Sequence, residues 1–178
     1  METISKLGIA MLVLVTAGAV LYRSHRGATA QRNGETLSGK IDSTLVKSDV
    51  EWGKILTPQQ YYILREAGTE APFTGALNDE SRKGTYLSAA TRKPVFRSET
   101  KFHSGTGWPS FWAPVSPDAV VLRWDDSLLG EPRIEVLDQS GSHLGHVFDD
   151  GPPPTGKRYC INSAALLFVP DSTGGKTR

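Results

Sequence analysis

A chain of 178 residues with a net charge of +1 has the length of one domain with a short appendage, and no overall field to draw it onto nucleic acid. Its basic excess sits in residues 1–33, where Lys6, Arg23, Arg26 and Arg32 face only Glu2, while the remainder is slightly acidic. A single cysteine, Cys160, excludes an intramolecular disulfide, a Cys-x-x-Cys redox pair and a structural zinc site built from two or more thiolates.

In chain order, Leu7 to Tyr22 carries no charge and is bracketed by Lys6 and Arg23. Its sixteen residues rise about 24 Å as a helix, short of the roughly 30 Å of a bilayer core, so residues 1–22 fit a signal peptide or a short membrane anchor. Residues 23–50 hold no aromatic residue and none of the 11 prolines. That composition predicts a flexible linker of about 30 Å root-mean-square span, with a folded body over residues 51–173. Thr57, Pro58 and Gln60 are an N-cap, a first-turn proline and a capping-box partner, which predicts a helix over 58–67 closed by Gly68. Residues 119–124, the alternating Arg133-Ile134-Glu135-Val136 and residues 164–169 predict strands separated by Gly- and Pro-rich turns. The pattern is mainly antiparallel β with one or two short N-terminal helices.

The residues able to do chemistry lie late in the chain. Cys160 follows Lys157-Arg158-Tyr159, and its thiolate is favoured if those cations lie near it. Alone, such a cysteine is more often an inert buried thiol. His143 and His146, three apart around a glycine, suit proton transfer beside a nucleophile better than a zinc site, for which further ligands are few. Gly107-Trp108-Pro109 presents an indole on a constrained loop.

Together these segments carry a resemblance. Residues 68–70, the run Lys101-Phe102-His103-Ser104-Gly105-Thr106-Gly107-Trp108-Pro109-Ser110-Phe111, residues 143–152 and Arg158-Tyr159-Cys160-Ile161-Asn162-Ser163 resemble, in order, the signature blocks of B-type peptide-methionine (R)-S-oxide reductases. The resemblance spans about residues 51–170. It implies antiparallel sheets in a barrel-like arrangement with short N-terminal helices, and thiol-dependent reduction of the R epimer of methionine sulfoxide in oxidised proteins or peptides, a repair reaction of the oxidative stress response. In that reading Cys160 attacks the sulfoxide sulfur and His143 and His146 hold or protonate its oxygen. Trp108 packs on the S-methyl group, Asn162 orients the site, and Arg158 pairs with Asp150 to brace it. No bound cofactor or metal is expected; thioredoxin, glutaredoxin or a small thiol regenerates the enzyme.

Three departures stand out. The positions of the family's four zinc cysteines are Ser88, Thr91, Leu137 and Ser140. An aspartate in the Lys-Phe-Asp-Ser-Gly block is His103, and one common resolving-cysteine position is Thr106. A catalytically silent sulfoxide-binding module and a Cys–His hydrolase are the rival classes: turnover of a methionine-(R)-sulfoxide peptide tests the first, and esterase activity blocked by alkylating Cys160 tests the second. The chain is expected to be a monomer that does not bind nucleic acid, membrane-tethered through residues 7–22 if these are uncleaved, or exported. Basic residues after the apolar run favour a cytoplasmic domain and export the opposite, with the extracytoplasmic side slightly preferred.

Overall fold

Ser48 and Thr57 each start a helix. Ser48 accepts from the Glu51 N–H while the Glu51 carboxylate accepts from the Ser48 N–H, and Thr57 and Gln60 repeat that reciprocal arrangement. The helices are α1 (Asp49–Ile55) and α2 (Pro58–Glu66). The second ends on Ala67 at φ +52°, with the Gly68 N–H donating to the Tyr62 carbonyl. Gly68 follows the left-handed residue and does not supply it. Its hydrogen is needed instead for clearance, since a Cβ there would lie 2.3 Å from the Tyr62 ring.

A computed structural model describes residues 34–128 and 131–172. Ten strands follow in chain order: β1 (Thr36–Ser38), β2 (Gly84–Ser88), β3 (Pro94–Arg97), β4 (Lys101–Phe102), β5 (Ser110–Phe111), β6 (Val121–Asp125), β7 (Arg133–Leu137), β8 (His143–Phe148), β9 (Arg158–Ile161) and β10 (Leu166–Pro170). They form a seven-stranded antiparallel sheet, ordered β1-β6-β7-β8-β9-β5-β4, and a three-stranded sheet, ordered β10-β2-β3. Each order ends on strands with one neighbour, so the expected barrel is corrected to two open sheets. Short end strands such as β4 leave too few backbone donors to close the ring.

The core lies between the sheets and under the helices. Tyr86 and Phe96 from the small sheet meet Phe111 from the large one, at ring-centroid distances of 4.9 and 4.5 Å. Trp52, Ile63 and Leu64 bring the helices onto Leu144 and Ile161. Burial of these side chains is the main favourable contribution to folding. It also fixes the side of β8 and β9 left for the site.

The N-terminal boundary needs revision. Among the described residues no helix is long and apolar enough to cross a membrane, and the run from Leu7 to Tyr22 lies outside them. Residues 34–50, assigned by composition to the linker, lie along the domain instead. Backbone bonds join Gly34 N to Trp124 O at 2.9 Å, Trp124 N to Glu35 O at 2.9 Å and Asp42 N to Gln139 O at 2.8 Å, and β1 pairs with β6. Backbone pairing needs no aromatic residues, so composition could not show it. A chain starting at Ser48 should keep full specific activity but lose about 1–3 kcal/mol from these bonds, lowering Tm by about 5 °C against a chain starting at Gly34. Thermal melts of the two truncated chains check this.

Candidate active site

Cys160 is placed by strand alternation. Along β9, Tyr159 and Ile161 point into the core while Arg158 and Cys160 take the opposite face. The cross-strand partners of Cys160 are His146 on β8 and Ser110 on β5. Gly145 lets β8 and β9 meet, since a Cβ there would lie 2.1 Å from the Cys160 carbonyl oxygen.

The two histidines share a face because β8 is irregular. Val136 pairs with Gly145 but Leu137 pairs with His143, so one step on β7 corresponds to two on β8. The extra residue turns a three-residue spacing, which would put the rings on opposite faces, into the same-face spacing of two. The rings lie 5.3 Å apart, edge to face.

Cys160, His146, Trp108, Asn162, Thr69 and Phe148 line one cavity of about 200 Å³. Trp108 is held there by an Nε1–H bond to the Glu70 carbonyl at 3.1 Å. Gly107, at φ +96°, must be glycine, because a Cβ would lie 2.7 Å from Pro72. The Asn162 side chain accepts from the Glu70 N–H and donates to the Leu144 carbonyl, both at 3.1 Å, tying the helix exit to β8. His143 is 3% exposed and lines an adjoining cleft with Arg123 and Glu135. Arg158 and Asp150 stand outside the lining, where the guanidinium makes two 2.8 Å bonds to the carboxylate and lies 4.4 Å over the Phe148 ring. His103 lines a separate cleft with Lys101 and Asn78.

Four residues overlooked in the sequence complete the arrangement. His146 Nε2 is 2.8 Å from Asp125, which also pairs with Arg133, and His143 Nδ1 is 2.7 Å from Glu135, which also pairs with Arg123. Burial opposes ionisation of both carboxyls, but their hydrogen bonds and the neighbouring arginines prevail and hold each below its ordinary value. Ionised carboxylates only accept, so His146 donates through Nε2 and His143 through Nδ1. The His143 Nε2 is buried and has no hydrogen-bond partner among the described residues. Burial, with Arg133 and His143, pushes the His146 pKa down despite Asp125, so its resting ring is neutral at pH 7. The depressed carboxyls contribute stability above the unfolded carboxylate range near about pH 4, and it is lost as pH falls through their folded values. Alternation along β6 and β7 could have flagged Asp125 and Glu135, but only once the partner strand was known.

The expected thiolate is not favoured at rest. Burial pushes the Cys160 thiol above its ordinary value, and the Thr106 hydroxyl, 3.8 Å from Sγ, and Arg158 offset this only in part. Lys157 pairs with Asp149, and the charge of Arg158 is balanced by Asp150. The site therefore holds a neutral thiol beside a neutral imidazole, with an indole wall and a buried amide. That suits attack on a polar, weakly electrophilic centre that must be protonated as it reacts.

At two of the four positions where the resemblance implies zinc cysteines, Ser88 and Ser140, the structure places hydroxyls on the Asp138 carboxylate. Asp138 accepts from Ser88 Oγ at 2.5 Å, Ser140 Oγ at 2.6 Å, Ser140 N at 2.8 Å and Ser142 N at 3.0 Å. This donor set, with no thiolate and its carboxylate already occupied by hydrogen bonds, does not fit zinc.

Comparison with known proteins gives a consistent result. The model of the SelR domain matches residues 56–170. The chain is similar to the peptide methionine sulfoxide reductase MsrB of Leptospira interrogans, 58% identical over 123 residues that cover 68% of this chain and 93% of that protein. It is also similar to MsrB of Methanosarcina barkeri, 55% identical over 129 residues, covering 72% and 90%. The MsrB of Agrobacterium fabrum is 54% identical over 125 residues, covering 70% and 92%.

Proposed function

This chain belongs to the SelR domain family, and we propose that it reduces methionine-(R)-S-oxide in proteins to methionine, using an external thiol. The observation that carries the reading is the shared cavity of Cys160, His146, Trp108 and Asn162. The Cys160 sulfur attacks the sulfoxide sulfur, and the thiol proton passes through the free nitrogen of His146 to the sulfoxide oxygen. The protonated oxygen then passes as hydroxyl from the substrate sulfur to the Cys160 sulfur: the methionine S–O bond and the transient S–S bond break, a Cys160 S–O bond forms, and the products are methionine and a Cys160 sulfenic acid. Cysteine sulfur is oxidised by two electrons and methionine sulfur is reduced by two. His143, braced by Glu135, supports His146 from behind, while Trp108 and Phe148 offer the S-methyl group an apolar wall. Two external thiols then release water and a disulfide and restore Cys160; thioredoxin, glutaredoxin or a small thiol supplies them.

The chain acts as a single-cysteine form without the zinc cysteines, as its one cysteine and the serine cluster around Asp138 support. One equivalent of substrate without reductant should leave a dimedone-reactive Cys160 and one methionine. Thr106→Cys tests the loop geometry: its hydroxyl already sits 3.8 Å from Sγ, so the variant should form an intramolecular disulfide after one turnover and lose dimedone labelling. A chain that binds the sulfoxide peptide but releases no methionine would instead be a binding module.

We propose that the chain acts as a monomer, which size-exclusion chromatography with light scattering measures. The charge-free run from Leu7 to Tyr22 supports tethering or export, with the domain on the extracytoplasmic side. The mass of the mature N-terminus and a topology reporter fused after Arg178 measure both.

A further inference from the structure

The cavity at Cys160, about 200 Å³, is smaller than the roughly 300–1,000 Å³ of clefts that engulf a drug-sized ligand. It accommodates one methionine-sized side chain, so the backbone and neighbouring residues of a protein substrate must lie on the rim. The exposed segment Ala71-Pro72-Phe73 lies next to the lining without being part of it. It leaves the cavity directly: Thr69 lines it, the Glu70 carbonyl holds the Trp108 indole, and the Phe73 N–H donates to the Gly107 carbonyl at 2.8 Å. A Cβ on Gly107 would lie 3.0 Å from Cδ2 of Phe73, which puts that ring one residue from Trp108.

Two independent features of Phe73 call for a ligand. The ring is 67% exposed, so the core does not account for it. The backbone sits at φ +64°, a region that bulky L-residues rarely occupy and that glycine or asparagine would fill without strain. An exposed aromatic in an unfavourable conformation beside a reactive cavity is the pattern of a residue held for contact with something outside the fold.

We propose that Ala71-Pro72-Phe73 is a docking ledge for polypeptide substrate, with Phe73 receiving an apolar side chain next to the methionine sulfoxide. The inference rests on the sulfoxide-reductase reading and adds a sequence preference to it. Extended peptide advances about 3.3–3.6 Å per residue, so the contact falls one or two residues from the sulfoxide. Oxidised methionines in hydrophobic segments would be favoured over those among acidic residues.

The test compares three substrates: N-acetylmethionine-(R)-sulfoxide, a pentapeptide with leucine on both sides of the sulfoxide, and its aspartate-flanked counterpart. The parent, Phe73→Gly and Phe73→Asn are assayed with the same thiol; both replacements tolerate the observed φ, so the variants should fold. The parent should prefer the leucine peptide over the aspartate peptide by about fivefold in kcat/KM, the size of one apolar contact. That preference should arise in KM and collapse toward unity in both variants. A preference that is absent in the parent, or survives in both variants, overturns the ledge while leaving turnover of the acetylated amino acid to stand for the activity. A parent that reduces none of the three overturns the sulfoxide reading, and the ledge with it.

Discussion

Replacing Cys160 with serine should lower reduction of methionine-(R)-sulfoxide by more than about a hundredfold, because a neutral hydroxyl cannot replace sulfur as the attacking atom. Serine is close to isosteric, and Cys160 is only partly buried on the site face of β9, so the circular dichroism spectrum should match that of the parent. Residual activity above about one per cent would show that another atom attacks. The raised pKa of the thiol adds a second readout. Burial holds Cys160 protonated at neutral pH, so iodoacetamide alkylation of the resting protein should keep accelerating up to and beyond the ordinary cysteine value of 9.0. Arg158→Ala should raise that midpoint further, since the guanidinium is one of the groups pulling the thiol down. An alkylation midpoint near pH 7 would mean that the cations at Arg158 and Lys157 act as first expected, despite their carboxylate partners.

The parts of the fold legible in the sequence are those whose signal is local. Thr57-Pro58-Gln59-Gln60 announces α2, and the dense or alternating apolar runs announce β6, β7 and β10 within a residue or two. Ser48 and Glu51 carry the same capping signature for α1, but the polar composition around them hid it inside an apparent linker. β8 defeats a period-two reading for a physical reason: its extra residue shifts the phase between His143 and His146. β1 has no buried residue and exists through its partner alone. The site divides in the same way. Cys160, His143, His146, Trp108 and Asn162 stand in blocks readable along the chain. Asp125, Glu135, Arg123 and Arg133 come from β6 and β7, and their roles appear only when those strands lie beside β8. Phe73 gives no sequence signal, because its unusual φ is visible only in three dimensions.

Asp138→Ala should destabilise the domain by about 3 kcal/mol or more, the cost of stranding several buried donors, and lower Tm by about 10 °C. Asp138 is 1% exposed and joins two turns, one after β2 and one between β7 and β8. From the first turn, Ser88 donates its hydroxyl to Oδ2, while Ser88 Oγ accepts from the N–H groups of Ala90 and Thr91. From the second, Ser140 and Ser142 donate three bonds to Oδ1, and Arg65 of α2 reaches Ser142 Oγ at 3.3 Å. The carboxylate thus links both turns, and through Ser142 the helix. Asp138→Asn is the more informative partner. Its carbonyl can face the Ser140 and Ser142 donors, but its NH₂ then points at Ser88 Oγ, whose hydroxyl proton loses its acceptor. The amide should therefore cost about 1–2 kcal/mol, between parent and alanine. Thermal melts of both variants, with and without chelator, measure the effect, and the chelator should change none of them. Equal midpoints for parent and Asp138→Ala would mean that the two turns are held by their backbone bonds and core contacts alone, with the carboxylate incidental to them.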